Sequence, residues 1–160
     1  MFTKQSLSSN REENYTLLES MLKAFIVKEE KAVTMLSNVS ALLNVFMDEI
    51  NWVGFYLKDD EKLYLGPFQG LPACTEIKIG QGVCGTSAAK KETLIVDDVH
   101  AFPGHIACDS ASQSEIVVPI VIDNEVYGVI DVDSPVKNRF NALDKRLLEK
   151  VATYIVDFLK

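Results

Sequence analysis

Three cysteines are the residues of this chain with the most obvious capacity for chemistry. Cys74, Cys84 and Cys108 lie ten and then twenty-four residues apart. The odd number of thiols prevents full pairing within one chain, and the polar N-terminus lacks an apolar secretion signal. We therefore expect a cytoplasmic protein whose thiols are mostly reduced, without a structural disulfide framework. Cysteines in loops, outside any apolar period, favour redox chemistry over core packing.

A glycine-rich stretch surrounds Cys84. The sequence GQGVCG, residues 80–85, matches the Gly-x-Gly-x-x-Gly pattern of dinucleotide-binding loops. Only TSAAKKE follows before the next apolar run, which is too short for the crossover helix that such a loop requires. We predict tight turns and close backbone contacts here instead of a phosphate site. The start of a short helix at Cys84 would stabilise its thiolate.

Cys108 lies in HAFPGHIACDSASQS, a segment without a hydrophobic period. A loop of this length in a compact domain is usually functional or disordered. His100 and His105 could join cysteines at a zinc ion, but the chain has no Cys-x-x-Cys or His-x₃-His pair. Zinc is therefore the weaker interpretation, and we expect neither a metal nor another cofactor. Backbone N–H groups at His105 and Ile106 could bind an anionic group.

Acidic and aromatic pairs occur at strand spacing. Asp131 and Asp133 lie two residues apart in an apolar run, so both face one side while their apolar neighbours face the core. Trp52 and Tyr56 share a face in the same way. Packing in the core is the default for such aromatics, and an exposed strand end is the default for such acids. Two carboxylates on one face repel unless a cation lies between them or one keeps its proton.

The elements that must position these residues follow from hydrophobic periodicity. Helical spacing predicts helices at residues 15–25 and 33–46 and at Ala142–Leu159, the last with Asn141 as its N-cap. Strand patterns occur at residues 51–57, 62–68, 76–79, 93–96, 115–122 and 125–133, with a turn at Asp123 and Asn124 joining the last two. Helices at both ends and hairpins between them favour an α+β fold, in which an antiparallel sheet carries helices on one face.

Composition narrows the range of partners. The chain has 160 residues, 48% of them apolar, and no linker or repeat divides it, so we predict one domain over 1–160 with residues 1–12 as an N-terminal arm. The net charge of −7, without a basic patch, argues against nucleic acid and anionic membranes. No apolar run approaches the roughly 18 residues of a membrane span.

Several motifs, taken together and in order, resemble one known family. They are WVGFY at 52–56, LGPFQG at 65–70, GQGVCG at 80–85, the Cys108 loop, SEIVVP at 114–119 and GVIDVDS at 128–134. With the cysteine spacing, this pattern is similar to the free methionine-(R)-sulfoxide reductases, which are built on a GAF domain. The resemblance runs from about Tyr15 to the C-terminus. It implies a GAF-like fold with a six-stranded antiparallel sheet, terminal helices on one face and a loop-lined ligand pocket on the other.

The same resemblance implies a reaction and its participants. The substrate is free methionine-(R)-sulfoxide, and Cys108 is the expected nucleophile toward its sulfur. The resulting sulfenic acid would condense with Cys84 as the main resolving thiol, or with Cys74 as a second thiol that relays the disulfide. Thioredoxin would then regenerate the thiols by exchange. A homodimer is the expected assembly.

The resemblance also assigns the substrate's surroundings. The acidic cluster of Glu115, Asp131 and Asp133 would bind the substrate ammonium, and either Glu115 or Asp133 would protonate the sulfoxide oxygen. Trp52 and Tyr56 would enclose the S-methyl group. The alternative is a non-catalytic GAF sensor that binds a small metabolite or nucleotide, because the fold alone does not fix the function.

Overall fold

The structure, a computed structural model, describes residue 3, residues 6–27 and residues 31–160. Helices in these ranges are α1 (Arg11–Phe25), α2 (Ala32–Phe46), α3 (Gly82–Lys90) and α4 (Ala142–Leu159). Strands are β1 (Trp52–Asp59), β2 (Lys62–Gln69), β3 (Glu76–Lys78), β4 (Leu94–Val96), β5 (Ser114–Ile122) and β6 (Glu125–Ser134). A 3₁₀ turn at Val99–Ala101 lies in the loop between β4 and β5. None of the helices in these ranges could cross a membrane.

The strands form one sheet in the order β3-β2-β1-β6-β5-β4. Each pair of neighbours is antiparallel, and β1 and β6 form the centre. The β5–β6 hairpin turns at Asp123 and Asn124, whose φ angles of 48° and 66° suit the primed turns that match the twist of a hairpin. The predicted α+β fold with a six-stranded antiparallel sheet is confirmed.

The two faces of the sheet carry separate apolar clusters. Phe55, Ile130 and Val132 pack on one face with the buried sides of α1, α2 and α4. Trp52 and Tyr56 belong to the cluster on the other face, which includes the buried side of α3. Successive side chains of a strand point to opposite faces. One set of side chains from β1 and β6 therefore packs against α1, α2 and α4, and the other set lies on the face that carries α3.

A buried ion pair joins the terminal helices. Asn141 caps α4 as predicted, and Asp144 completes the capping box by accepting a hydrogen bond from the Asn141 N–H at 2.8 Å. Asp144 is fully buried, pairs with Arg139 at 3.1 Å and accepts a hydrogen bond from the Tyr15 hydroxyl at 2.6 Å. These contacts fix the start of α4 against α1.

The predicted N-terminal arm at 1–12 overlaps α1. Residues 1, 2, 4 and 5 of that arm lie outside the described residues. Helix α1 begins at Arg11, and its N-cap Asn10 accepts a hydrogen bond from the backbone N–H of Glu12. The end of the expected arm is therefore already helical.

Candidate active site

A cavity lies on the face of the sheet opposite α1, α2 and α4. Its volume is about 480 Å³ with the space at its mouth included. Nine of the ten predicted site residues line it, from β1, α3, β5, β6 and the loop before β5: Trp52, Tyr56, Cys84, His105, Ile106, Cys108, Glu115, Asp131 and Asp133. The tenth, Cys74, is bonded to Cys108. The fold therefore brings all ten together.

The disulfide in the structure involves the second of the two resolving thiols that the resemblance implied. Cys74 and Cys108 form a disulfide with their Cα atoms 5.3 Å apart, whereas Cys84 is free and buried in the first turn of α3. We expected Cys84 as the main resolving thiol and Cys74 as a second thiol that relays the disulfide, and the bridge in the structure is the one to Cys74. The observed pairing has a structural reason, because Cys84 contacts Glu115 inside the cavity while Cys74 lies in a segment tethered beside the Cys108 loop.

Trp52 and Tyr56 of β1 donate hydrogen bonds to the backbone of the segment that contains Cys74. Trp52 Nε1 donates a hydrogen bond to the Leu71 carbonyl oxygen at 3.1 Å, and the Tyr56 hydroxyl donates one to the Cys74 carbonyl oxygen at 3.0 Å. The two rings are stacked with centroids 5.9 Å apart, and Trp52 also stacks on Phe68 at 5.3 Å. Both rings are buried, so they form a rigid apolar wall.

The acidic cluster occupies two neighbouring strands. Asp131 and Asp133 of β6 face the cavity together, as predicted, and Glu115 of β5 pairs in register with Asp133. Glu115 and Asp131 are 5% and 6% exposed. A further carboxylate, Asp109, lines the same cavity, and the described residues around it include no lysine or arginine. The charge of these carboxylates therefore lacks a cationic side chain to balance it.

This environment raises the pKa of each acid in the cluster. Burial, followed by the charges of Asp131 and Asp133, raises the pKa of Glu115 well above its ordinary value. Burial raises the pKa of Asp131 to about 6. Burial and the charge of Asp131 raise the pKa of Asp133 well above the ordinary range. Burial and the mutual repulsion of these close carboxylates therefore favour protonation within the cluster.

The prediction that α3 stabilises a Cys84 thiolate is wrong. Burial, with the charges of Asp131 and Glu115, raises the pKa of this thiol well above its ordinary value. Desolvation and two neighbouring acids outweigh the partial positive charge of the helix N-terminus. Cys84 is therefore a protonated thiol at neutral pH.

The imidazole of His105, and not its backbone N–H, is available to a ligand in the cavity. Its N–H already donates to the Phe102 carbonyl oxygen at 3.1 Å, which removes the anion donor that we predicted there. The imidazole lines the cavity, and its buried Nδ1 has no hydrogen-bond partner among the described residues. Burial, with a smaller contribution from His100, lowers the pKa of His105 and favours the neutral ring. Ile106 lies over Gly82, where an added Cβ would meet its Cδ1 at 3.1 Å.

Sequence reasoning missed three polar residues that anchor the Cys108 loop. The Asn51 side-chain amide donates to Asp109 at 2.9 Å and to Ser112 at 3.1 Å, and the Asn51 N–H donates to the Asp133 carbonyl oxygen at 3.0 Å. The loop is thereby tied to the start of β1 and to the acidic cluster. The one sequence feature that could have indicated this anchoring is the position of Asp109 directly after Cys108.

The glycine string allows α3 to pack closely on the strand before it. A Cβ on Gly85 would lie 2.3 Å from the Lys78 carbonyl oxygen, and the Gly80 N–H donates to the Gly85 carbonyl oxygen at 2.8 Å. Helix α3 has only 9 residues. The prediction of close backbone contact is confirmed, and the string positions Cys84.

Comparisons with known proteins agree with this architecture. The GAF-domain family model matches residues 34–160. The free methionine-R-sulfoxide reductase of Escherichia coli K12 is 45% identical over 146 residues, which cover 91% of this chain and 88% of that protein. The solved fRMsr of Staphylococcus aureus, in its reduced form, is 49% identical with a TM-score of 0.89 and covers 100% of both chains.

A third similar protein has been solved with its substrate. The free methionine-R-sulfoxide reductase from Neisseria meningitidis is 38% identical, with a TM-score of 0.93, and the match covers 99% of this chain and 95% of that one. The GAF-like fold expected from the sequence motifs is confirmed by these similarities, which extend over nearly the whole chain.

Proposed function

The chain belongs to the GAF-domain family of free methionine-R-sulfoxide reductases, and from this premise we propose that it reduces free L-methionine-(R)-S-oxide in the cavity described above. The observation that carries the proposal is the meeting, in one cavity, of a bonded cysteine pair with three buried carboxylates. The cysteine pair, once reduced to thiols, supplies two electrons, and the carboxylates supply a proton and a cation-binding surface.

The electrons come from the thiols of the reduced form. Cys108, as a thiolate, attacks the sulfoxide sulfur, the sulfur–oxygen bond breaks, and methionine leaves with Cys108 as a sulfenic acid. A second thiol condenses with the sulfenic acid and releases water. The disulfide between Cys74 and Cys108 is the end state, reached directly or through a bond from Cys108 to Cys84 that Cys74 then exchanges.

Glu115 is the proton donor in this scheme. Its burial and the charges of Asp131 and Asp133 raise its pKa, so it carries a proton at neutral pH that it can give to the sulfoxide oxygen. Asp131 and Asp133 then hold the substrate ammonium, the cation that balances two carboxylates on one face of β6.

The remaining contacts select the substrate. The stacked rings of Trp52 and Tyr56 enclose the S-methyl group, so that the sulfoxide oxygen of one stereoisomer points to the acid and that of the other points to a ring. For the substrate carboxylate, the His105 imidazole with its unpartnered Nδ1 replaces the backbone donor at that residue, and the Ile106 N–H remains a second donor.

Regeneration requires an external dithiol that reaches the disulfide. Cys74 and Cys108 are both half-buried, and exposed Leu71 and Ile106 lie close to them in sequence, which suits attack by a small dithiol protein such as thioredoxin. The enzyme works in the cytoplasm as a homodimer in this proposal. Sedimentation of the purified chain tests the assembly, with a monomer at micromolar concentration as the contrary result.

Turnover of separate stereoisomers tests the function. With a thioredoxin recycling system, the R form of free methionine sulfoxide is reduced and the S form is not, and one equivalent of the R form consumes two thiols. Cys108→Ser abolishes both signals. If the wild-type protein bound a metabolite but did not reduce the sulfoxide, the result would support the sensor alternative and contradict the proposed activity.

A further inference from the structure

Three side chains from different elements meet at one point of the cavity. Cys84 comes from α3, Glu115 from β5 and Asp131 from β6. One ligand atom of each, the thiol sulfur and a carboxylate oxygen from either acid, lies within 4.8 Å of the other two, and all three residues are buried. This set of three combines sulfur and oxygen donors around a common centre.

One atom of the set lacks a partner. Asp131 Oδ1 is buried without a hydrogen bond from any described residue, although the residue is only 6% exposed. The Cys84 thiol reaches Glu115 Oε1 at 3.9 Å, a long contact even for sulfur. A buried carboxylate oxygen without a donor is costly, which points to a ligand that supplies positive charge at this place.

We propose that Cys84, Glu115 and Asp131 bind a thiophilic divalent cation, for which Zn²⁺ is the probe. A thiolate with two carboxylates, completed by water, is a donor set that Zn²⁺ accepts at four-coordinate sites. The dication would balance the negative charge that the cavity lining leaves uncompensated. Binding forms a zinc–sulfur bond and zinc–oxygen bonds, and it releases to solvent the thiol proton of Cys84 and the proton of the Glu115 carboxyl.

The disulfide form presents one thiol to an ion. Cys84 is the one free thiol among the three cysteines of the chain in this form, because the bridge occupies the sulfurs of Cys74 and Cys108. Binding of a thiophilic ion to the disulfide form can therefore be assigned to Cys84 without competition from the other two cysteines.

In the reduced form the cation has a competitor. The substrate ammonium uses Asp131 in the proposed function, so Zn²⁺ should inhibit turnover competitively. This competition rests on the proposed function, whereas binding of the ion by itself does not. The two claims can therefore fail separately.

The test is a titration of the full chain, in its disulfide form, with Zn²⁺ against a chromogenic chelator. We expect one ion per chain, and we expect Cys84→Ser and Asp131→Asn each to weaken binding by roughly 100-fold because each removes a ligand. Asp133→Asn is the matched control, since this acid is outside the set, and it should change the affinity by less than about fivefold. Thermal unfolding and a thiol count verify the folding and redox state of each variant.

The contrary outcomes are distinct. Stoichiometric binding that survives Cys84→Ser would locate the ion elsewhere, and the lack of saturable binding would also overturn the inference. Turnover of the sulfoxide without zinc binding would contradict this inference alone. Zinc binding that depends on Cys84, without turnover of the sulfoxide, would contradict the proposed function alone.

Discussion

The Tyr56 hydroxyl donates a hydrogen bond to the Cys74 carbonyl oxygen at 3.0 Å, so a wall of the cavity also holds the backbone of a disulfide cysteine. The ring of Tyr56 lines the cavity, and its polar end holds the segment that contains Cys74. In the proposed function, one side chain thus connects the binding step with the disulfide step.

Removal of that hydroxyl should separate the two steps. Tyr56→Phe keeps the ring, so KM for the sulfoxide should stay within about twofold, whereas disulfide formation should slow roughly five- to tenfold because one hydrogen bond of about 1 kcal/mol is lost. Rapid-quench thiol counting after one equivalent of substrate measures the second effect. Tyr64→Phe, at an exposed tyrosine of β2, is the control, and an equal slowing in both variants would refute the tethering role.

The disulfide pairing predicts how the two resolving candidates differ. Because Cys74 can form a disulfide with Cys108, reduced Cys84→Ser should still lose two thiols after one equivalent of the R sulfoxide. Cys74→Ser should lose the efficient reaction with thioredoxin, since the exchange partner is gone. Peptide mapping of the oxidised proteins identifies the bridges. A Cys84→Ser protein that stops at the sulfenic acid would show that Cys84 must resolve first.

The proton donor can be identified from kcat. Glu115→Gln keeps the shape and removes the acid, so kcat should fall by roughly 100-fold or more. The high-pH limb of the profile, which reports loss of the donor proton, should disappear with it. Asp133→Asn is the comparison variant and should mainly raise KM through loss of ammonium binding. A larger fall in kcat for Asp133→Asn would assign the proton to Asp133.

Stability of the acidic cluster should depend on pH in a defined direction. The pKa of Asp131 is raised to about 6 in the folded state from 3.8, so the folded protein binds the proton more tightly and loses stability as pH rises through this range. Asp131→Asn removes this penalty. It should raise the free energy of unfolding by roughly 1–3 kcal/mol at pH 7, and the gain should vanish below about pH 4.

Urea denaturation of both proteins across that pH range measures the difference. Asp98→Asn is the control of opposite sign, because Lys137 lowers the pKa of this exposed acid and its neutralisation removes a favourable pair. A constant gain at every pH would contradict titration of Asp131 as its cause.

The buried ion pair between Arg139 and Asp144 should contribute more to the free energy of unfolding than an exposed ion pair does. Arg139→Met leaves the Asp144 carboxyl fully buried without its cationic partner, which should cost roughly 3–5 kcal/mol of stability. Lys150→Met breaks an exposed pair with Glu19 and should cost less than about 1 kcal/mol. Chemical denaturation compares the two, and equal losses would refute the importance of burial.

The period of the apolar residues was sufficient to predict the three long helices and the six strands, because each of these elements buries one face. It also placed Asp131 with Asp133 and Trp52 with Tyr56, since residues two or four apart on a strand share a side. Their assignment to a substrate came from the family resemblance, because periodicity does not distinguish a cavity wall from a core.

The features of the site that the sequence did not predict depend on contacts between segments that are far apart in the chain. The choice between Cys84 and Cys74 as the partner of Cys108, which the sequence left open, depends on the segment after β2 lying beside the Cys108 loop. The pKa of the Cys84 thiol is raised by desolvation between β5 and β6. The role of Asn51 required knowing which loop lies over β1. Each of these contacts spans many residues, and no local pattern encodes them.

The bridge across 34 residues has a kinetic consequence for a spent molecule. In the proposed function the bridge occupies the sulfur of Cys108, so an oxidised molecule cannot attack a second sulfoxide until a dithiol cleaves the bridge. When the reductant is scarce, the rate of this cleavage should therefore limit turnover.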